Sequence, residues 1–228
     1  MSEMSKDAFW ALVAEAKEEC GTDMDSEVQW LKDRLITLGP QQAQDFHNIM
    51  YGYMELANQY GLWSAASILC DGCSDDGFTD FRAWLIAQGK EVYLSALQDP
   101  DSLAEVSPYG GCQFECFAYV GVYAVGSMTC KNAFDAMALP EYGEMVEELR
   151  EDVSYGEGIG YPYEWNEVGQ AFPHLCAKYL TQDEIQFHLM SHETMWASDH
   201  PDIQKARESG PPHRGTPQIN MDIGGMNV

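Results

Sequence analysis

The chain has 228 residues, with 37 Asp and Glu against 12 Lys and Arg, for a formal net charge of −25. Apolar residues at 45% and aromatics at 12% supply a core, so the composition is that of a folded chain, not a disordered one. The shortage of cations argues against binding to nucleic acid or to anionic membrane surfaces, since both recruit clustered Lys and Arg. Length allows one large domain, or one of roughly 150 residues with an extension.

The elements read in chain order as helices. Ser5 is placed to cap a first helix with Phe9, Val13, Ala16 and Cys20 on its apolar face and Leu12 beside them, ended by Gly21. Ser26 and Gln29 have capping-box spacing ahead of Val28, Leu31 and Leu35. Gly39-Pro40 stops that helix and opens the next, in which Ala43, Phe46, Met50, Tyr53, Met54 and Ala57 keep the helical period as far as Tyr60-Gly61. A short apolar helix, Leu62 to Cys70, precedes a cluster of turn formers at 71–77. Phe78 to Gln88 predicts a buried helix closed by Gly89, and Glu91 to Leu97 continues helically to Asp99-Pro100. The stretch 113–128 is assigned helix, although its Val and Tyr content also suits a strand. Pro140 opens a helix with acidic residues in its first turn and Arg150 in its last.

Beyond this, Ser154 to Trp165 reads as an ordered loop whose aromatics pack back onto the body. Asn166 to Leu180 is a short helix broken at Pro173. Thr181 and Glu184 form another capping box, starting a helix to about Ser198. The expected fold is mainly α: a single multi-helix globular domain over 5–180, a helical C-terminal extension over 181–208 and a flexible tail over 209–228. No repeat of 20–50 residues is present. Met1 to Trp10 has no apolar h-region, and no window nears the roughly 18 apolar residues of a membrane span, so a cytoplasmic protein is expected. The seven cysteines are expected to be reduced, mostly as small buried hydrophobes.

Several segments are distinctive together. They are Phe9-Trp10, the run Leu62-Trp63-Ser64-Ala65-Ala66, the motif Cys73-Ser74-Asp75-Asp76-Gly77-Phe78, and Phe81-Arg82-Ala83-Trp84-Leu85-Ile86. Gly89-Lys90-Glu91-Val92-Tyr93 and Asp99-Pro100-Asp101-Ser102-Leu103-Ala104 follow them. With these segments the chain resembles the bacterial domain-of-unknown-function family 4240. Phe172-Pro173-His174-Leu175-Cys176 resembles that family's usual ending, with cysteine where a tryptophan is expected. The resemblance covers roughly 5–180 and implies a mainly helical bacterial cytosolic domain. It implies no activity.

Four groupings bear on chemistry. Arg82 is the first cation after Arg34 and stands beside Asp75, Asp76 and Asp80, with Trp84 close by. A guanidinium fixed among carboxylates can offer a donor fork to an anionic ligand, or it can simply neutralise the loop, with Thr79 or Asp80 capping the helix. Glu184, His188 and His192 lie on one helical face at a spacing that suits Zn, but residue 189 is Leu, so the general base of the His-Glu-x-x-His pattern is missing. The bland alternative makes His192 part of an apolar stripe with Ile185, Leu189 and Trp196. Cys70-Asp71-Gly72-Cys73 is a CxxC, yet Cys112 and Cys116 are too far along the chain and too widely spaced to complete an ordinary zinc site. The glycine-rich loop 154–162 holds a glutamate and no lysine, the wrong electrostatics for a phosphate cradle. No cofactor is expected. The functional expectation is a non-enzymatic module that binds a basic protein, immunity- or inhibitor-like. Its rival is an enzyme or small-ligand-binding protein using the Asp/Arg corner or the histidine face.

Overall fold

The computed structural model describes residues 4–163 and 168–180. The chain runs through α1 (Lys6–Cys20), α2 (Met24–Leu38), α3 (Pro40–Leu56), α4 (Tyr60–Leu69), α5 (Asp75–Ala87) and α6 (Lys90–Gln98). There follow α7 (Glu115–Ala118), α8 (Val120–Thr129), α9 (Pro140–Arg150), α10 (Val168–Ala171) and α11 (Pro173–Tyr179). Short 3₁₀ turns at Pro100–Glu105, Gly110–Cys112 and Ala133–Ala138 link them, and no strand occurs among the described residues. The fold is mainly α. No helix among the described residues is long and apolar enough to cross a membrane. The extension over 181–208 and the tail over 209–228 lie outside the described residues.

Local signals place most boundaries. Ser5 Oγ accepts from Ala8 N, and Gly21 ends α1 at φ 65°. Gly39, at φ 97°, ends α2 and delivers Pro40 to the first position of α3. Four boundaries differ from expectation. Asp23, not Ser26, caps α2: its carboxylate accepts from Ser26 N at 3.1 Å and is drawn below its usual pKa by that bond. Helix α3 stops at Leu56, because Asn58 and Gln59 turn back to Glu55 and Ala57, and α4 starts at Tyr60. Helix α5 begins at Asp75 with Ser74 as its cap, so Asp76-Gly77 is helix and not turn. Gly77 packs closely there: a Cβ would sit 3.1 Å from Gln113 Nε2 and 3.2 Å from Ser74 Oγ, tighter than an ordinary contact. The 113–128 stretch is helical but breaks at Tyr119, which separates α7 from α8.

Helix α3 is the axis of the molecule, with α1, α2, α5, α7, α8 and α9 packed around it. Its buried face carries Phe46, Met50, Tyr53 and Met54. Phe46 meets Phe9 at 4.9 Å between ring centroids, and Tyr53 meets Trp10 at 4.8 Å and Tyr93 at 5.2 Å. Tyr93 donates its hydroxyl to Tyr53 O at 2.7 Å, joining α6 to α3 inside the core. Helix α8 approaches α3 closely because Gly121 has no side chain: a Cβ would stand 2.6 Å from His47 Cβ. The loop after α9 packs back as expected. Ile159 O accepts from Gly61 N at 2.7 Å, and the Tyr155 hydroxyl donates to Leu56 O at 2.9 Å.

Candidate functional site

Helix α5 opens the first candidate. Asp75 and Asp76 are exposed in its first turn, where the helix dipole favours carboxylates. Asp80 is half-buried, and burial, then Glu115, then Asp76 push its carboxyl above the usual range. The structure thus gathers Asp76, Asp80 and Glu115. It directs Arg82 elsewhere: Nη1 donates to Met54 O at 2.9 Å, Nη2 to Thr79 Oγ1 at 2.9 Å and Nε to Phe78 O at 3.4 Å. The guanidinium lies 5.1 Å from the Phe78 ring centroid. No ion pair joins Arg82 to Asp75, Asp76 or Asp80 among the described residues. Trp84 is wholly buried and takes no part in a ligand-facing surface.

Arg82 therefore satisfies an orphan carbonyl in the last turn of α3, as basic side chains do at helix C-termini. Truncation tests that role. Arg82→Ala is expected to lower unfolding free energy by about 2 kcal/mol in a urea titration, and Arg82→Lys to recover less than half of it, because an ammonium cannot reach three acceptors at once. Unchanged stability in both variants would return Arg82 to the ligand-binding candidates.

The cysteines converge more than their spacing suggests. Cys70, Cys73 and Cys112 form one group, with Cys112 delivered by a turn in which Gly110, Gly111 and Cys112 take φ of 59°, 63° and 56°. A hydrogen bond with Cys112, then burial, holds the Cys70 thiol far above its usual range. Burial, with Asp80 and Cys112 nearby, pushes Cys73 up to about 12. Thiols held protonated in this way are poor nucleophiles. All seven cysteines are free, and Cys116 is exposed. Among the described residues no group of three His, Cys, Asp or Glu could hold a metal ion. Glu184, His188 and His192, the residues with Zn spacing, lie outside the described residues.

Three notable groups escaped the sequence reading. Asp101, 5% exposed, accepts from His174 N and Leu175 N, and its Oδ2 lies 2.6 Å from His174 Nδ1. Asp101 sits in one of the dense local segments of the sequence, which was the available signal. Glu27 is fully buried on α2, and neither carboxylate oxygen has a hydrogen-bond partner among the described residues. Burial raises it to about 7, with Lys17 opposing. The spacing Glu27, Leu31, Leu35 on one helical face could have revealed it. His47, fully buried and also without a hydrogen-bond partner, is lowered to about 4 by burial.

Above His47 the elements α3, α8, α9 and the Ala133–Ala138 turn bring five rings together. His47 packs at 4.7 Å on both Tyr51 and Phe134, and Tyr51 meets Phe134 edge-on at 5.0 Å. Tyr119 stands 6.3 Å from Phe134 and 6.2 Å from Tyr123. Tyr142 adjoins Tyr51 and donates to Glu55 Oε2 at 3.4 Å. Burial first, then neighbouring phenols, raises Tyr51, and burial followed by Glu55 raises Tyr142, so these hydroxyls stay neutral donors. Tyr123, 43% exposed, and Leu139, 55% exposed, open this region to solvent.

The sequence model of the family described as Protein of unknown function (DUF4240) matches residues 4–125. That span is more than half of the chain, and the chain belongs to this family. No curated protein and no solved structure matches it.

Proposed function

We propose that the protein is a non-enzymatic binding module for a basic protein partner, in the manner of an immunity protein or inhibitor. The observation that supports this is the fate of six of the nine Lys and Arg among the described residues. Lys6 is held by Asp152 and Glu148 O, Lys17 by Gln88, Lys90 by Asp7, Arg150 by Glu147 and Lys178 by Ala104 O. Arg82 is spent on the carbonyls and hydroxyl described above. Meanwhile α9 alone exposes Glu141, Glu144 and Glu148 besides the Glu147 that meets Arg150. A surplus of unpaired surface acid steers cationic partners and repels nucleic acid. The rival, an enzyme at the Asp/Arg corner, has less support because each of the three guanidinium nitrogens already donates to a protein acceptor.

The test is immobilised full-length protein exposed to lysate of the source cells at low salt. One stoichiometric basic protein is expected, released as salt rises, and its purified form should bind at least tenfold more weakly at 0.5 M than at 0.05 M salt. Retention of chaperones alone, or binding indifferent to salt, would refute the reading.

A further inference from the structure

We infer that the tyrosine-lined junction of α3, α8 and α9 is the docking face for that basic partner, with an arginine side chain stacked on Tyr119 and Tyr123 within reach of Glu55 and Glu115. The inference rests on the proposed function only for the sign of the partner's charge. The rest follows from the rings. Tyr119 and Tyr123 are one helical turn apart, with ring planes at 31°, and form a ledge rather than a closed stack. Phe134, Tyr51 and the buried His47 support this ledge from below. Rings fixed by packing lose little side-chain freedom on binding, which is why tyrosine predominates at interface anchors.

The charge around the ledge fits a cation. Glu115 is near enough to raise the Tyr123 hydroxyl, behind burial and Cys116, and Glu55 accepts from the Tyr142 hydroxyl beside Tyr51. Lys131 is the one cation in the chain between 113 and 149, and it lies exposed on the connection ahead of the Ala133–Ala138 turn. Among the described residues the stacked cations are Arg82 on Phe78 and Lys178 on Tyr179, so no cation of these residues covers the ledge. A planar guanidinium suits it better than an ammonium, because it can lie flat on a ring while donating sideways to carboxylates. A second copy of this chain is the poorer occupant, since it would bring another net charge of −25 against the same acidic rim.

The experiment is fluorescence anisotropy on the full chain with two labelled peptides, one alternating arginine with glycine and the other lysine with glycine. At 0.15 M salt the arginine peptide is expected to bind about tenfold more tightly. The double variant Tyr123→Ala/Leu139→Ser, at exposed positions that leave the core intact, should bring both peptides to the same affinity. Glu18→Gln/Glu19→Gln, which removes two negative charges from the far end of α1, should weaken both alike and preserve the preference. Glu115→Gln provides a second variant that spares the rings and should reduce the preference severalfold. Equal affinity of the two peptides for the native chain, or a preference that survives the tyrosine variant, overturns the assignment of this face. If the basic partner is nevertheless retained at low salt, only the face is wrong; if no basic protein is retained, the functional reading fails as well. Dimers that dissociate in the Tyr123→Ala/Leu139→Ser variant would give the face to a second copy, again overturning the inference.

Discussion

Replacing Asp101 with alanine is expected to destabilise the protein by about 3 kcal/mol, read as a fall in the urea midpoint at unchanged slope. The carboxylate comes from the Pro100–Glu105 turn and closes the start of α11, more than 70 residues away in sequence. Its Oδ1 accepts from Leu175 N at 2.8 Å and from His174 N at 3.1 Å, and Oδ2 from His174 N at 3.0 Å. First-turn amides have no partner inside their own helix, so this one side chain answers two of them. Alanine would leave the Leu175 amide buried without an acceptor, whereas the exposed His174 can turn to water. Two controls separate the causes. Asp101→Asn keeps one carbonyl oxygen and should lose about half as much. His174→Ala removes only the ring contact at a side chain 77% exposed, and should cost under about 1 kcal/mol. A loss below 1 kcal/mol for Asp101→Ala would show that α11 is held by the burial of Phe172 and Leu175 instead.

The same pair marks how far sequence reading reached. Residues that act on their own backbone were legible: Ser5, Gly21, Gly39-Pro40, Gly89 and Pro140 all delimit helices where their conformational preferences say they should. Asp75-Asp76-Gly77 misled because its meaning is set partly from afar: Gln113, which arrives from beyond α6 and two 3₁₀ turns, packs where a Cβ on the glycine would stand. Arg82 misled in a related way. Its sequence neighbours are carboxylates, but its spatial neighbours are the last turn of α3 and its own preceding turn. The union of Cys70, Cys73 and Cys112 depends on three consecutive residues at positive φ, one of them not glycine, which no spacing rule anticipates. The tyrosine ledge likewise draws on four elements, none of which has an aromatic pattern of its own beyond the helical period. Family membership was legible from dense local motifs, and those motifs turn out to be largely architectural: Ser74 caps, Gly77 makes room, Asp101 caps.

Stability should depend on pH through two opposed buried groups, and single variants should separate them. Glu27 is raised from 4.5 to about 7, so between those values the folded state holds a proton that the unfolded chain has released. Its contribution is therefore most favourable at low pH and declines as pH rises through the folded value, by about 3 kcal/mol at 1.36 kcal/mol per unit. His47 is lowered from 6.5 to about 4, so in that interval the unfolded chain binds the extra proton. Its contribution is fully present above 6.5 and is lost, by a similar amount, as pH falls to about 4. The two slopes nearly cancel from 4.5 to 6.5, and the native chain shows little pH dependence from this pair there. Glu27→Gln removes one slope without changing volume. The difference in unfolding free energy between Glu27→Gln and native protein should then grow by about 3 kcal/mol from pH 4.5 to 7.5, in favour of the variant. Taking that difference also subtracts most of the repulsion among the other acidic groups, which titrate in both proteins and would otherwise mask the effect. His47→Phe should produce the mirror image, a difference confined to pH below 6.5, and urea titrations at five or six pH values suffice to see both. A flat difference for Glu27→Gln would mean that Lys17, or water beside the carboxylate, keeps Glu27 ionised in the folded state, and that its burial carries no penalty.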